Sequence, residues 1–237
     1  MKPSDTTRRL LITAGPTYEP IDAVRFIGNR SSGRVGCLLA DEAASQGWRV
    51  TLLLGPNTVH PSHADVRVIG FQSTADLQAL LQAHMVQTDV LIMAAAVADF
   101  RPASGTVDLD SKTKRSKAGL TIELEPTSDL LAGCSKDARS DQLLVGFALE
   151  PRATMLESAS KKLTKKNIDL IVANPLETMD SDTIEATLLG NPKRGVLLDG
   201  HPQVNTTKAQ FAAWLIGAIT PITDQRTQTP TETDPHG

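Results

Sequence analysis

Asn29, Arg30, Ser31, Ser32 and Gly33 make a run of small hydrogen-bonding and cationic residues between an apolar strand pattern (Leu10, Leu11, Ile12, Thr13) and an apolar helix pattern (Val35, Leu38, Leu39, Ala43). A loop of this kind at a helix start accepts anions. The first amides of a helix have no partner inside it, and the helix dipole adds positive potential there. The strand breaks at Ala14-Gly15-Pro16, and the long insert before the helix also carries Tyr18, Glu19, Asp22 and Arg25. That is more polar chemistry than a connection needs. A second group, Ala94-Ala95-Ala96-Val97-Ala98-Asp99-Phe100-Arg101-Pro102, follows the buried run Asp89–Met93. Small side chains there let a ligand approach the backbone, and Asp99 and Arg101 fall at a strand's carboxyl end, where open α/β sheets place their sites. A third group is cationic: Lys112, Lys114, Arg115 and Lys117, and then Lys161, Lys162, Lys165 and Lys166.

Each group has an ordinary reading too. The Asn29–Gly33 loop is equally a plain turn with Ser31 or Ser32 capping a helix. A lone Asp99 is more often solvated than functional. Lysines gather at helix C-termini and on solvated faces. Two lysine runs, each near a strand's carboxyl end, in a chain of net charge −3 point instead to convergence on a polyanion. The spacing excludes several classes. Neither GxGxxG nor a Walker loop is present, since Gly33-Arg34-Val35 stands where Gly-Lys-Ser/Thr is needed. There is no HExxH and no GxSxG elbow. His60, His63, His84, His201 and His236 read as surface residues, and Cys37 and Cys134 as small core residues. Chemistry without a nucleophile or a metal cluster implies catalysis by positioning and charge stabilisation, as in phosphoryl or nucleotidyl transfer.

The elements that must position these groups follow from periodicity. Strands are expected at Arg8–Thr13, Trp48–Leu54, Val66–Gly70, Asp89–Met93, Leu120–Leu124, Gln142–Phe147 and Asp169–Ala173. Helices are expected at Arg34–Gln46, closed by Gly47, at Thr74–Gln87, capped by Ser73 or Thr74, at Asp129–Cys134, capped by Ser128, and at Arg152–Lys166. Glu185–Leu189 and Gly195–Asp199 read as a hairpin around Gly190-Asn191-Pro192, and a final helix begins at Thr206. Residues 102–119 lack periodicity and read as a flap.

Strand and helix alternate, and buried runs such as VLIMAAA and LLVGFA recur. The expected fold is α/β, a Rossmann-like doubly wound, mostly parallel sheet with a flap and a small hairpin arm. The 237 residues suit a single domain over 8–220, with 1–7 and 221–237 as flexible tails. With 40% apolar and only 3% aromatic residues, the core must be aliphatic and alanine-rich. Net charge argues against nucleic acid, no apolar run is long enough to span a membrane, and no signal segment opens the chain, so a soluble cytoplasmic protein is expected. The residues alone describe a protein that binds a phosphorylated, nucleotide-like ligand through backbone amides and lysines.

These motifs resemble those of the phosphopantothenoylcysteine synthetases (phosphopantothenate–cysteine ligases). ITAGPTYEPIDAVRFIGNRSSGRVG, AAAVADFRP, VGFALE, KKNIDLIVANP and SDTIEATLL occur in the family's order between Leu10 and Thr220. The resemblance implies a two-step ligation in coenzyme A synthesis. The 4′-phosphopantothenate carboxylate attacks CTP to give an acyl-cytidylate and pyrophosphate. The amine of L-cysteine then displaces CMP. Mg²⁺ accompanies the triphosphate, held by phosphates and water more than by protein. A homodimer is implied, with the hairpin region as an interlocking arm. No flavin-dependent decarboxylase segment precedes residue 8, so a free-standing synthetase is expected.

By the same resemblance Asn29 is the catalytic asparagine, with Arg25 and Arg30 beside it holding the substrate phosphate or the intermediate. Gly15 and the turn Ser31-Ser32-Gly33 meet nucleotide. Met93, Ala94 and Ala95 supply the nucleotide-facing backbone, with Ala96 next to the substrate. Asp99 contacts nucleotide, and Lys112 is the flap lysine that closes over CTP, with Lys114 as the alternative because the flap is a few residues longer than usual. Ser128, Asp129, Leu130 and Leu131 replace a Pro-Asp-Ile-Leu turn. Phe147 lies near the base, and Lys162 and Lys166 meet phosphates. ATP in place of CTP, and a Rossmann-like nucleotide-binding module without catalysis, remain as alternative readings.

Overall fold

The structure is a computed structural model that describes residues 7–104, 110–112, 119–179 and 181–228. In chain order these form β1 (Arg9–Ala14), β2 (Tyr18–Pro20), β3 (Phe26–Gly28), α1 (Arg34–Ser45), β4 (Arg49–Leu54), β5 (Arg67–Gly70), α2 (Thr74–Met85), β6 (Val90–Met93), β7 (Phe100–Pro102), β8 (Leu124–Pro126), α3 (Leu130–Asp137), β9 (Leu143–Glu150), α4 (Met155–Lys165), β10 (Leu170–Pro175), β11 (Thr183–Gly190), β12 (Gln203–Thr207) and α5 (Lys208–Gln228). The main sheet has eight strands in the order β12-β11-β10-β9-β6-β1-β4-β5. Every pairing from β5 across to β10 is parallel, and β11 and β12 add an antiparallel edge. The chain leaves β1 toward β4 and β5, then returns to β6 and proceeds the other way. The expected doubly wound, mostly parallel sheet is therefore what forms, and its switch point lies between β1 and β6.

Alternation along the strands separates two apolar layers. Leu10, Ile12 and Ala14 of β1 pack with α1 and α5. Leu11 faces the opposite layer, built from α2, α3 and α4. Gly36 is needed for the first contact, because a Cβ there would lie 2.3 Å from the Ala14 Cβ. Helix ends follow local chemistry. Gly47 takes a left-handed φ of +81° just past α1. Ser73 and Asp76 form a reciprocal capping box on α2.

Four expectations are corrected. The strand expected at Leu120–Leu124 is instead β8, paired with β7, where the Arg101–Glu125 ion pair at 2.8 Å locks the register. Asp129, not Ser128, caps α3, because its carboxylate accepts the Ala132 N–H at 3.1 Å and an anion suits the positive end of a helix. Residues 195–199 form no strand. The Asn191 side chain donates to the Ile168 carbonyl at 2.8 Å and turns the chain. Val196 then packs over Gly190, while β11 takes β12 as its partner in the main sheet. There is thus no separate hairpin arm at this place.

The fourth correction concerns the C-terminal tail. α5 passes through Pro221 to Gln228. Thr220 and Thr223 hydroxyls donate to the Ile216 and Ile219 carbonyls at 2.7 and 2.9 Å around the position where proline supplies no amide. Beyond it, Asp224 receives a two-pronged bond from Arg8, both contacts at 2.7 Å, and Arg226 reaches the buried Asp169 at 2.7 Å. Of the tails expected at 1–7 and 221–237, residues 1–6 and 229–237 lie outside the described residues.

Asp169 is wholly buried and also accepts from Arg194 and from the Leu144 amide, each at 2.7 Å. Asp169→Asn leaves two guanidinium groups against a neutral amide in a site closed to water. It should lower unfolding stability by about 3 kcal/mol, read as a lower urea midpoint at unchanged slope.

Candidate active site

The cleft lies over the carboxyl ends of β1, β6, β9 and β10. Its floor is the turn after β6, and the insert after β1 is stitched to that turn. The Ala94 and Ala96 amides donate to the Thr13 and Gly15 carbonyls at 3.1 and 2.8 Å, and Pro16 bridges Ala96. Two buried hydroxyls hold the next amides: Ala95 N–H reaches Thr13 Oγ1 at 3.2 Å, and Ala98 N–H reaches Thr17 Oγ1 at 2.9 Å. Asn29 arrives at the end of β3 and its Nδ2 donates to the Val97 carbonyl at 3.0 Å. Thr127 closes the other side by donating to the Ala98 carbonyl at 2.5 Å.

Two adjoining cavities result. The larger, about 690 Å³, brings together Asn29, Arg30, Met93, Ala95, Ala96 and Asp99 from the insert and turn. Opposite them stand Ser128, Asp129, Leu130 and Leu131 at the start of α3, Phe147 on β9, and Lys162, Lys165 and Lys166 on α4. The smaller, about 220 Å³, is lined by Arg30, Ser31, Ser32, Gly33 and the first residues of α1, with Ala94, Ala95, Ala96 and Phe147. It also takes in Asn174, Thr178 and Lys208. α1 begins at Gly33, which has a left-handed φ of +70° and offers no side-chain cap. Ser31 and Ser32 are therefore not its N-cap residues; their hydroxyls accept only long bonds of 3.4 Å from Gly33 and Arg34.

Three residues expected at the site line neither cavity. Gly15 lies behind the turn, where its φ of +83° and a clash of 2.5 Å between any Cβ and Thr58 Cγ2 explain the glycine. Arg25 is paired with the buried Asp22, its Nε 2.9 Å from Oδ2. Lys112 is exposed, and Lys114, Arg115 and Lys117 lie outside the described residues. Much of the insert's polar chemistry is structural. Glu19 is buried and accepts the Thr74 amide and hydroxyl at 2.8 and 2.6 Å, docking the insert on the start of α2. Sequence reasoning passed over Lys165, Leu149, Met179, Asn174, Thr178 and Lys208 as lining residues. Lys165 was in view as part of its run; the others carried no local signal.

Two cations of the larger cavity are held by carboxylates. Both Asp129 oxygens lie 2.6 Å from Lys166 Nζ, and Lys162 Nζ lies 2.6 Å from Glu150. Burial pushes the Asp129 carboxyl up, but Lys166 and the Ala132 amide outweigh it and hold the group below the ordinary aspartate value. The thiols of Cys37 and Cys134 are raised by burial to about 11, which makes both inert at neutral pH. His60 and His201 are exposed, His63 and His84 are half-buried, and His236 lies outside the described residues. Among the described residues no helix is long and apolar enough to cross a membrane, and no cluster of three or more His, Cys, Asp or Glu side chains is arranged for a metal.

Fold and cleft together define a doubly wound α/β protein with a lysine-lined cleft at its topological switch point. The chain belongs to the family described as the DNA/pantothenate metabolism flavoprotein C-terminal domain, which it matches over residues 6–221. It is 41% identical over 170 residues to the coenzyme A biosynthesis bifunctional protein CoaBC of Bacillus subtilis (strain 168), a match of 72% of this chain and 41% of that protein. It is 48% identical over 170 residues to a cysteine/cysteine sulfinic acid decarboxylase from an unknown prokaryotic organism, covering 72% of this chain and 46% of that protein. The chain thus spans under half the length of these relatives. The crystal structure of the C-terminal domain of a CoaBC protein superposes with a TM-score of 0.72 at 32% identity, covering 92% of this chain and 96% of that one.

Asp129 has a depressed folded-state pKa, so its contribution to stability is present above the unfolded value near 4 and is lost as pH falls through the folded value. Asp129→Ala should cost about 1 kcal/mol at pH 7 through the lost cap. It should also flatten the fall in thermal midpoint between pH 5 and 3 measured for the parent chain.

Proposed function

We propose that this chain is a phosphopantothenate–cysteine ligase of coenzyme A synthesis, using CTP through an acyl-cytidylate. The observation that carries the reading is the position of Asn29. Its carboxamide is fixed by the Val97 carbonyl over the polyalanine turn, in the same cavity as Lys162 and Lys166. One N–H of Nδ2 serves that anchor, and the second remains for an acyl oxygen on which negative charge develops. The kinship with CoaBC proteins and the match to a CoaBC C-terminal domain over nearly its whole length support the assignment to this step.

In this reading the substrate carboxylate oxygen bonds to the α-phosphorus of CTP, and the bond to the bridging oxygen breaks to release pyrophosphate. The cysteine nitrogen then bonds to the acyl carbon, the acyl–phosphate ester breaks, and CMP leaves as the amine gives up a proton. Lys162, Lys165 and Lys166 balance the triphosphate charge. The uncapped start of α1 supplies neutral donors at close range, and the Ala94–Ala96 turn, whose own amides are taken up by the insert, forms the floor beneath the ligand. Small side chains are required there because any larger residue would occupy the ligand's path to the backbone. The residues fit an ion carried in by the phosphates, with Asp99 at the cavity edge; Mg²⁺ would neutralise the triphosphate and orient it. Lys112 closes the flap. A homodimer belongs to the same proposal, supported by Val24, Phe26, Phe100 and Leu124, which the two small hairpins leave exposed. The setting is the cytoplasm.

Asn29→Ala and Asn29→Asp should lower ligation by about 10²- to 10³-fold while equilibrium dialysis still detects bound CTP. Turnover at the parent rate would refute the role of the carboxamide. Pyrophosphate release with 4′-phosphopantothenate and cysteine should proceed with CTP and not with ATP.

A further inference from the structure

Lys162 lies in the last turn of α4, and Lys166 follows one turn on at its C-cap. The buried row of that helix is Met155, Ala159 and Leu163, and the two lysines flank it on the cavity side. Glu150 is the last residue of β9. Side chains alternate along a strand, so Leu144, Ala148 and Glu150 share the face turned to α4. The first two pack with Met155, Ala159 and Leu163. Glu150 is the polar end of that apolar row, and its side chain is 13% exposed against 47% for Lys162.

The pair is ionic rather than a well-directed hydrogen bond. Oε1 is closed to solvent and has no partner of hydrogen-bond geometry, yet Lys162 Nζ lies 2.6 Å from it. The neighbouring pair Lys161–Glu157 is different in kind. It lies within one helix, away from the cavity, with side chains 75% and 69% exposed, where ion pairs do little.

We propose that Glu150 is a positioning residue: it anchors the Lys162 ammonium at the cavity rim, so that a polyphosphate meets two ammonium groups already in place one helical turn apart. An untethered lysine loses rotamer freedom when an anion captures it, whereas a lysine held at its tip has lost that freedom on folding. The competing role is simple neutralisation, in which Lys162 serves the carboxylate and Glu150 only weakens the field the anion feels. The two roles differ in sign. Loss of an anchor weakens anion binding; loss of a masking charge strengthens it.

The inference rests on the polyphosphate reading of the cavity, and the test separates the two. Inorganic tripolyphosphate is titrated into the full chain by calorimetry. Lys162→Met tests the reading itself: an unchanged Kd would remove the premise. With that Kd raised, Glu150→Gln and Glu150→Asp should each weaken tripolyphosphate about tenfold. They should raise KM for the nucleoside triphosphate by the same factor and leave KM for cysteine unchanged. Glu150→Asp keeps the charge but withdraws it by one methylene, so a loss there cannot be electrostatic masking, and it carries the comparison if the glutamine variant does not fold. Unchanged or tighter binding in the folded variants would overturn the proposal.

Discussion

The site depends on a constraint of backbone hydrogen bonding where two parallel strands end. β1 and β6 do not part at their last ladder residues. Their pairing continues into irregular chain through Ala94, Ala96, Gly15 and Pro16, and the hydroxyls of Thr13 and Thr17 take over where carbonyls are out of reach. Buried amides must be satisfied, and these are satisfied by the insert itself. The loop that carries Asn29 is thereby fixed against the turn that forms the cleft floor. Glu19 completes the arrangement from behind by binding the first turn of α2.

The cationic wall follows a related logic. A chain of net charge −3 makes a local positive region by borrowing carboxylates to place lysines rather than by accumulating free charge. Asp129 serves twice, as cap of α3 and as partner of Lys166. Glu150 does the same for Lys162 from the end of β9. Lys162 and Lys166 are thus tied to two different elements of the cleft, so the helix, the strand and the start of α3 share one electrostatic framework.

How much of this was legible in the sequence divides along the range of the interactions. Elements set by local periodicity and by Gly47 or Ser73 lie within a few residues of their expected places, and so does the parallel core. What failed was set by partners distant in the chain. Pro221 reads as a stop, yet α5 continues because Arg8 and Asp169 wait for Asp224 and Arg226. QVNTT carries too little apolar pattern to announce β12, which forms because β11 has an open edge. At the site, lysines four apart on a helix could be placed on one face from spacing alone. Arg25, expected beside Asn29, is paired with Asp22 and lines neither cavity. Asn174 and Lys208 come from strands and helices far along the chain, and nothing near them marks a cleft.

The helix starts complete the physical case. α2 closes its first amides with a capping box, α3 with Asp129, and α5 with the Thr207 hydroxyl, which accepts the Gln210 N–H at 3.3 Å. α4 has no side-chain cap but grows out of a single 3₁₀ turn. α1 alone begins at a glycine without a side-chain cap, and its first residues line the smaller cavity. Glycine in place of a capping side chain forgoes roughly a few tenths of a kcal/mol of stability. The remaining donors lie beside the cations of Arg30, Arg34 and Lys208, where an anion rather than a side chain would satisfy them. A capping side chain at Gly33 would compete with a ligand for these donors, and the sequence places none there.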